Sequence, residues 1–155
     1  MDNTVRFFKK DKDAIIPTSK EGNAGFDLYT TSVVLQSGDQ ELDISVGKDI
    51  YSVIPGKIYK AKTGIGCEIP DDYVGFVWPR SGVSLRYGVN ILAGVIDSSY
   101  RGEIMVVFTV AKEFEIKKGD RLAQMVVTPY LAKSLEVSEE TKTDRGEKGF
   151  GSTGK

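Results

Sequence analysis

The sequence predicts an all-β domain, of the β-sandwich or jelly-roll kind, built from many short strands. Three observations predict this class. Short segments alternate polar and apolar residues with a period of two. Seventeen glycines and five prolines are spread at short intervals, and the best helical candidate is only the stretch from Ser81 to Gly88. A chain of 155 residues fits one such domain with its own core.

The strand candidates are separated by turn signals. Residues 41–46 alternate polar and apolar, residues 47–49 are Gly-Lys-Asp, and residues 50–54 are the next strand candidate. This order predicts a hairpin between the two segments. Residues 57–61 and 73–78 are further strand candidates, and their spacing is typical of a sandwich.

One predicted strand differs from the others, because residues 104–110 are apolar at nearly every position. A strand with one wet face should alternate, so this strand is expected to be covered on both faces. One face would pack on the domain core, and the other would face a second subunit. The alternative is that loops of the same chain cover the second face.

Composition excludes several kinds of site. The chain has one cysteine, Cys67, and no histidine. An intramolecular disulfide, a Cys/His zinc site and any triad with a histidine base are therefore excluded. Proton chemistry would depend on Asp, Glu, Lys, Tyr or Cys67, and a hard metal ion would need oxygen ligands or arrive with the substrate.

Charge and hydropathy limit the partners. The net charge is -1, so no general basic field attracts nucleic acid, and an anionic substrate must be held by a few placed arginines. No segment approaches the roughly 20 apolar residues of a membrane helix, and the first residues lack a signal-peptide layout. We therefore expect a cytoplasmic protein without membrane contact.

Arg80, Ser81 and Gly82 follow a predicted strand and a proline, just before the short helix. The first turn of a helix leaves backbone N–H groups free to meet an anion. The three residues are therefore candidates for phosphate binding. The alternative is an N-cap serine beside a surface arginine.

Asp97 ends an apolar strand, after Gly94, Val95 and Ile96, and a turn follows it. A carboxylate at such a bend can orient and deprotonate a water molecule, and its ordinary pKa leaves it ionised at neutral pH. The alternative is a turn aspartate that bonds to its own backbone. Tyr100, close behind, packs either on a sugar or on the core.

Two polar residues in strand-like segments are ambiguous by themselves. Gln124 lies in an apolar run, where a buried amide needs hydrogen-bond partners. It serves either a site or the backbone around it. Asp27 lies between Phe26 and Leu28 and is equally open.

The C-terminal residues change character. Residues 138–144 are polar and aperiodic, which predicts a flexible arm over 138–155 after a domain of residues 1–137. Residues 149–155 match the spacing of a P-loop, but a P-loop needs a strand before it and a helix after it, and the chain ends at Lys155. Arg145 can still pair with phosphate, and Phe150 can stack on a base. The alternative is an inert tail.

Five segments in this order resemble the trimeric dUTP pyrophosphatase (dUTPase) family, and the resemblance covers nearly the whole chain. They are Ala24-Gly25-Phe26-Asp27-Leu28, Pro79-Arg80-Ser81-Gly82, Gly94-Val95-Ile96-Asp97-Ser98-Ser99-Tyr100-Arg101-Gly102, Gly119-Asp120-Arg121-Leu122-Ala123-Gln124-Met125 and Arg145-Gly146-Glu147-Lys148-Gly149-Phe150-Gly151-Ser152-Thr153-Gly154.

The resemblance implies jelly-roll-like subunits in a homotrimer whose active sites are shared between subunits. It implies hydrolysis of dUTP to dUMP and pyrophosphate, which keeps uracil out of DNA and supplies dUMP for dTMP synthesis. A hairpin that includes Gly94, Val95 and Ile96 would recognise uracil through backbone groups, and Tyr100 would pack under the deoxyribose.

The resemblance also implies the chemistry. Asp97 would activate the water that attacks the α-phosphorus, and Mg²⁺ would bridge the phosphates, with Asp27 in the outer shell of the metal. The implied phosphate-binding residues are Arg80, Ser81, Gly82 and Gln124, with Gln124 also counted as catalytic. The arm would close over the nucleotide through Arg145, Phe150, Gly151 and Ser152.

The chain departs from the family in the connection over residues 36–52, which looks longer than usual and predicts an inserted surface hairpin that is either a decoration or a partner site. Two other functions compete. A related dCTP deaminase would need a catalytic glutamate where this chain has Val107, and Glu103 lies too early in the strand. A nucleotide-binding regulator would use residues 36–52 to dock a partner.

Overall fold

The computed structural model describes residues 4–44, 47–131 and 135–144, and its regular structure is almost entirely strand. The strands are β1 (Arg6–Lys9), β2 (Gly25–Leu28), β3 (Ser32–Ser37), β4 (Gln40–Asp43), β5 (Ile50–Val53), β6 (Ile58–Lys62), β7 (Ile65–Glu68), β8 (Tyr73–Pro79), β9 (Asn90–Leu92), β10 (Val95–Ile96), β11 (Met105–Thr109), β12 (Phe114–Lys117) and β13 (Ala123–Pro129). One helix, α1 (Ser81–Tyr87), is found in the described part of the chain. The all-β prediction is confirmed.

Two larger sheets carry the fold. One has the strand order β10-β8-β13-β2 and the other has the order β4-β3-β6-β11-β9. Two small antiparallel pairs, β1-β7 and β12-β5, complete the described structure. The largest side chains buried in the core include Phe108, Leu28, Ile65 and Met125, and the Phe108 ring stacks on that of Tyr59 at 5.6 Å.

Strand β11 is the apolar strand expected over residues 104–110. Val106 and Phe108 are buried, whereas Met105 and Val107 on the opposite face are half-buried. In register, Val107 lies between Lys60 and Leu92 of the two neighbouring strands. The core-facing half of the prediction is therefore confirmed. The other face is left partly open, and its cover by a second subunit stays a prediction.

The predicted hairpin between residues 41–46 and 50–54 is wrong. Strand β4 pairs instead with β3, across a turn at Gly38 and Asp39, and β5 pairs with β12. The tight turn is possible because Gly38 adopts a φ of 59°, which costs a glycine little. Residues 36–52 thus contribute to three pairings, β3 with β4, β3 with β6 and β5 with β12, and their role as a partner site stays a prediction.

The short helix is confirmed, because α1 runs from Ser81 to Tyr87 and stops at Gly88. Gly88 has a φ of 64°, and its N–H donates to the Ser84 carbonyl, which closes the helix in the usual left-handed way. No described helix is long and apolar enough to span a membrane. Residues 138–144 are exposed and carry neither helix nor strand, and the domain boundary at residue 137 stays a prediction.

The strands on either side of Gly94 do not pair with each other, and the recognition of uracil by a hairpin in this region stays a prediction. Strand β9 pairs with β11 in one sheet, and β10 pairs with β8 in the other. Ala93 and Gly94 make this corner with φ values of 59° and 107°, and the Gly94 carbonyl accepts from the Val77 N–H at 2.8 Å. The chain therefore changes sheets at this point, as strands do at sandwich corners.

Candidate active site

A polar cleft of about 850 Å³ lies where three elements end or meet. Strand β8 leads into Arg80 and Ser81, β13 carries Gln124, and β2 carries Asp27. Gln124 stands directly opposite Asp27 on one side and Trp78 on the other. The cleft is lined by Thr18, Ser19, Lys20, Gly22, Asn23, Ala24, Gly25, Asp27, Tyr29, Arg80, Ser81, Arg121, Gln124 and Val126.

The charges in this cleft favour an anion. Lys20, Arg80 and Arg121 are its cationic lining residues, and Asp27 is the acidic one. Arg80 Nε lies 3.1 Å from one carboxylate oxygen of Asp27, and an Arg121 terminal nitrogen lies 2.9 Å from the other. One carboxylate against three cations leaves the cleft positive, which suits a ligand with several negative charges.

Gln124 lines the cleft and is half-buried. Its side-chain nitrogen is 3.5 Å from the Pro79 carbonyl, so this hydrogen bond is weak. A Cβ atom at Gly25 would lie 2.2 Å from the Gln124 side-chain oxygen. The glycine therefore leaves the space that the amide occupies.

The first turn of α1 borders the same cleft. Arg80 is the N-cap residue and makes no side-chain capping hydrogen bond. The alternative of an N-cap serine is therefore wrong, because Ser81 is already the first helical residue. Gly82 is exposed, has open space where a Cβ atom would lie, and follows the lining residue Ser81.

Asp97 lies in a second and separate depression of about 430 Å³. This depression is lined by Tyr73, Val74, Phe76, Val95, Asp97, Ser98, Ser99 and Tyr130. Asp97 is exposed, and its carbonyl accepts from the Tyr100 N–H at 3.1 Å. An Arg101 terminal nitrogen donates to the carbonyls of Ser98 and Tyr100 at 2.6 and 3.1 Å, so the turn behind Asp97 is held by its own arginine.

The two regions stand apart along β8. Strand β10 ends with Ile96 opposite Gly75, so Asp97 comes level with Val74, whereas Arg80 follows the far end of β8. At about 3.3 Å per residue, this places Asp97 roughly 20 Å from Arg80 along the strand. A single chain therefore does not bring Asp97 together with Arg80 and Gln124.

Tyr100 is fixed beside Asp97. Its hydroxyl donates to the Glu103 carbonyl at 2.9 Å, and a Cβ atom at Gly102 would lie 2.1 Å from that hydroxyl. The ring is 40% exposed, so it offers a face to a ligand. Gly102 is the residue that allows the ring to lie back along the turn.

Cys67 is not a nucleophile of the site. The thiol is buried in the core, and burial raises its pKa to about 11. The reactive thiolate is therefore scarce at neutral pH. The reaction must therefore depend on the oxygen and nitrogen groups that line the two depressions.

Comparison with known proteins identifies the family of the chain. The dUTPase family model matches residues 35–154, which is most of the chain. This chain belongs to the dUTPase family. The deoxyuridine 5'-triphosphate nucleotidohydrolase of Swinepox virus (strain Kasza) is 39% identical over 157 residues, which covers 97% of this chain and 96% of the relative. The same enzyme of Paramecium bursaria Chlorella virus 1 is 42% identical over 131 residues, covering 81% of this chain and 90% of the relative.

A solved dUTPase shows the same fold. The dUTPase of Staphylococcus bacteriophage 80alpha, determined with dUPNHPP, is 26% identical, has a TM-score of 0.78 and covers 98% of this chain and 99% of its own. The chain is therefore an enzyme of nucleotide metabolism, a hydrolase of the dUTP diphosphatase type. Named relatives in viruses and the solved phage enzyme share nearly its full length.

In this dUTPase the structure places two charged residues in the cleft that sequence reasoning did not assign to a site. Arg121 was part of the motif around Gln124 without a role of its own, and Lys20 lies in a polar loop without any pattern. Only the pairing of β2 with β13 brings Arg121 to Asp27. The predicted contacts of Arg145, Phe150, Gly151 and Ser152 lie outside the described residues.

Proposed function

We propose that this dUTPase cleaves dUTP to dUMP and pyrophosphate at sites composed from more than one copy of the chain. Asp97 of one copy acts as the base, and the Arg80 cleft of another copy holds the phosphates. The observation that carries this proposal is the separation of the two regions by most of the length of β8. A water held by a carboxylate reacts only when the phosphorus is within about 3–3.5 Å.

Uracil recognition is supported by the open edge of β10. Val77 and Gly94 form a hydrogen-bonded pair, so Val95 opposite Phe76 is in the alternate, non-bonded position. The N–H and C=O of Val95 then point away from β8, at the free edge of the sheet. One donor beside one acceptor matches the O4 and N3–H of uracil, whereas cytosine reverses both groups.

Tyr100 selects deoxyribose over ribose. The ring is held by its hydrogen bond to Glu103 and leans over Gly102. A rigid ring under the sugar leaves no space for a 2′-hydroxyl. The enzyme then accepts deoxyribose and rejects ribose.

Phosphate binding falls to the positive cleft. Arg80 and Arg121 provide planar donors that suit phosphate oxygens, and Ser81 and Gln124 add neutral donors. Gly82 contributes the first-turn backbone beside Ser81. Donors fixed before the reaction stabilise the charge that develops on the leaving pyrophosphate.

Mg²⁺ fits this site as a partner of the triphosphate. Among the described residues there is no cluster of three Asp, Glu, Cys or His side chains that could hold a metal ion. Each Asp27 oxygen faces an arginine, and residues 4–44, 47–131 and 135–144 offer no metal cage of their own at this cleft. When bound, Mg²⁺ would neutralise phosphate charge.

A homotrimer is supported by apolar surface that a single chain leaves uncovered. Leu131, Leu135 and Val137 are 92%, 89% and 91% exposed. Met105 and Val107 on the outer face of β11 are only half-buried. We take these side chains as contacts to a neighbouring subunit, because a large exposed apolar patch marks an interaction site. Three copies would bring the base, the phosphate cleft and the C-terminal arm together, with Arg145, Phe150, Gly151 and Ser152 closing over the nucleotide.

The competing deaminase reaction is disfavoured by the position of Glu103. Its carboxylate accepts from the backbone N–H groups of Thr63 and Gly64 at 3.1 and 2.7 Å. This carboxylate serves the backbone, and Val107 has no group that can move a proton.

We expect a cytoplasmic enzyme that limits dUTP and supplies dUMP.

A complementation experiment tests the shared site. Asp97→Asn and Arg80→Gln should each be inactive alone. When the two are co-expressed and assemble at random, about a quarter of the sites would have both wild-type residues. The rate of pyrophosphate release from dUTP should therefore recover to roughly a quarter of the wild-type rate.

No recovery in the mixed sample would contradict a site shared between copies, provided that a solution mass shows mixed oligomers.

A second experiment measures pyrophosphate release by the wild type from dUTP, UTP, dCTP and dTTP. Equal turnover of all four would contradict the assignment of dUTP as substrate. Ammonia release from dCTP would favour the deaminase.

A further inference from the structure

We propose that Asp27 is a positioning residue for the guanidinium groups of Arg80 and Arg121, and that Arg121 is a further phosphate-binding residue. The inference rests on the proposed function, because it describes how the same cleft receives the triphosphate. It changes the role expected for Asp27, from a residue of the metal's outer shell to the fixed centre of a pair of arginines.

The contacts support this role. Each Asp27 oxygen has its own arginine, at 3.1 Å for Arg80 Nε and 2.9 Å for the Arg121 terminal nitrogen. The Asp27 side chain is 22% exposed, whereas the two arginine side chains are 37% and 41% exposed. The carboxylate is therefore the less exposed partner of each pair, and the arginines offer more surface to the cleft that all three residues line.

The two arginines come from separate parts of the chain and need a common anchor. Arg80 follows β8, whereas Arg121 precedes β13. Their side chains are long, and their charges repel each other at close range. A carboxylate between them removes that repulsion and fixes both planes. Arg121 has a second support, because its guanidinium lies 5.9 Å from the centre of the Tyr29 ring.

Donors remain for a ligand after these contacts are made. A guanidinium carries five N–H groups, and Arg80 meets Asp27 through its Nε atom in an ion pair. Both terminal nitrogens of Arg80 are thus left for phosphate oxygens. Arg121 uses one terminal nitrogen, and its other one remains. Both residues line the cleft together with Lys20 and Gln124.

The same contacts argue against a metal role for Asp27. A metal ion beside either oxygen would sit close to two positive guanidinium groups. Charge repulsion from the two guanidinium groups would therefore weaken any interaction of Asp27 with a metal ion or with the metal's water shell. The two roles therefore give different responses to metal removal.

The experiment measures binding of α,β-imido-dUTP by calorimetry, with Mg²⁺ and again with excess EDTA. Arg121→Gln should weaken binding roughly 10- to 100-fold in both conditions, as expected for lost charge-assisted hydrogen bonds. Asp27→Asn should weaken it about tenfold in both, because an amide has only one acceptor oxygen for two arginines. The double variant should lose less than the product of the two single losses.

Arg86→Gln is the matched control, since Arg86 is exposed on α1 and does not line the cleft. It should bind like the wild type. A loss in Asp27→Asn that appears only with Mg²⁺ would assign the residue to the metal and overturn the proposal. Tighter binding in Asp27→Asn, or wild-type binding in Arg121→Gln, would also overturn it.

Two further readouts separate this inference from the proposed function. Binding of dUMP should change less than that of the triphosphate analogue in both variants, whereas a folding defect would weaken both ligands and lower the melting temperature. If wild-type protein releases no pyrophosphate from dUTP, the proposed function fails. If the wild type is active and Arg121→Gln is equally active and tight-binding, only the present inference fails.

Discussion

The side-chain amide of Gln124 fills the space that a Cβ atom at Gly25 would need, because such an atom would lie 2.2 Å from the Gln124 side-chain oxygen. Real Cβ atoms do not approach so closely, so Gly25→Ala must displace the amide from its place in the cleft. We expect a fall in kcat/KM for dUTP of roughly tenfold or more, as for a lost phosphate-binding group. Pyrophosphate release measures it.

The double variant Gly25→Ala/Gln124→Ala separates packing from function. Removing the amide relieves the contact, so the melting temperature should be at least that of Gly25→Ala while activity stays low. A Gly25→Ala protein with full activity would show that the position of Gln124 is not needed.

Asp97→Asn should remove the base and keep the shape of the turn. We expect turnover to fall by about 100-fold or more, because general base catalysis contributes at least that factor, while affinity for α,β-imido-dUTP stays nearly unchanged. Asp39→Asn, in the exposed turn between β3 and β4, is the matched control and should keep wild-type turnover. Near-normal hydrolysis by Asp97→Asn would end its assignment as the base.

Gly102→Ala should alter the choice between deoxyribose and ribose. The new methyl group would lie 2.1 Å from the Tyr100 hydroxyl and would push the ring out of place. The ratio of kcat/KM for dUTP to that for UTP should therefore fall, and Tyr100→Ala should lower the same ratio. If activity falls equally on both substrates, Tyr100 does not select the sugar.

Local features of the fold could be predicted from the sequence. Helix α1 could be predicted from a short helical segment followed directly by Gly88. This glycine adopts the left-handed conformation that ends the helix. The buried face of β11 follows from its run of β-branched residues. These signals lie within a few residues of the structure they predict, so no knowledge of distant partners is required.

Pairings between distant segments could not be predicted in this way. The turn at Gly47 suggested that β5 returns to β4, but β5 pairs with β12, which lies far along the chain. The anchoring of Arg121 on Asp27 depends likewise on the register of β2 against β13. The distance from Asp97 to Arg80 is set by the register of β10 on β8, which has no signal in either motif.

The buried thiol of Cys67 predicts a stability change at alkaline pH. Burial raises its pKa from the usual 9.0 to about 11. Between these values the unfolded chain releases the thiol proton while the folded chain keeps it, so stability falls as pH rises through this window. Wild type should therefore lose melting temperature between pH 9 and 11 more steeply than Cys67→Ala, which lacks the titrating group. Equal slopes for the two proteins would mean that the thiol ionises as easily in the folded state as in the unfolded one.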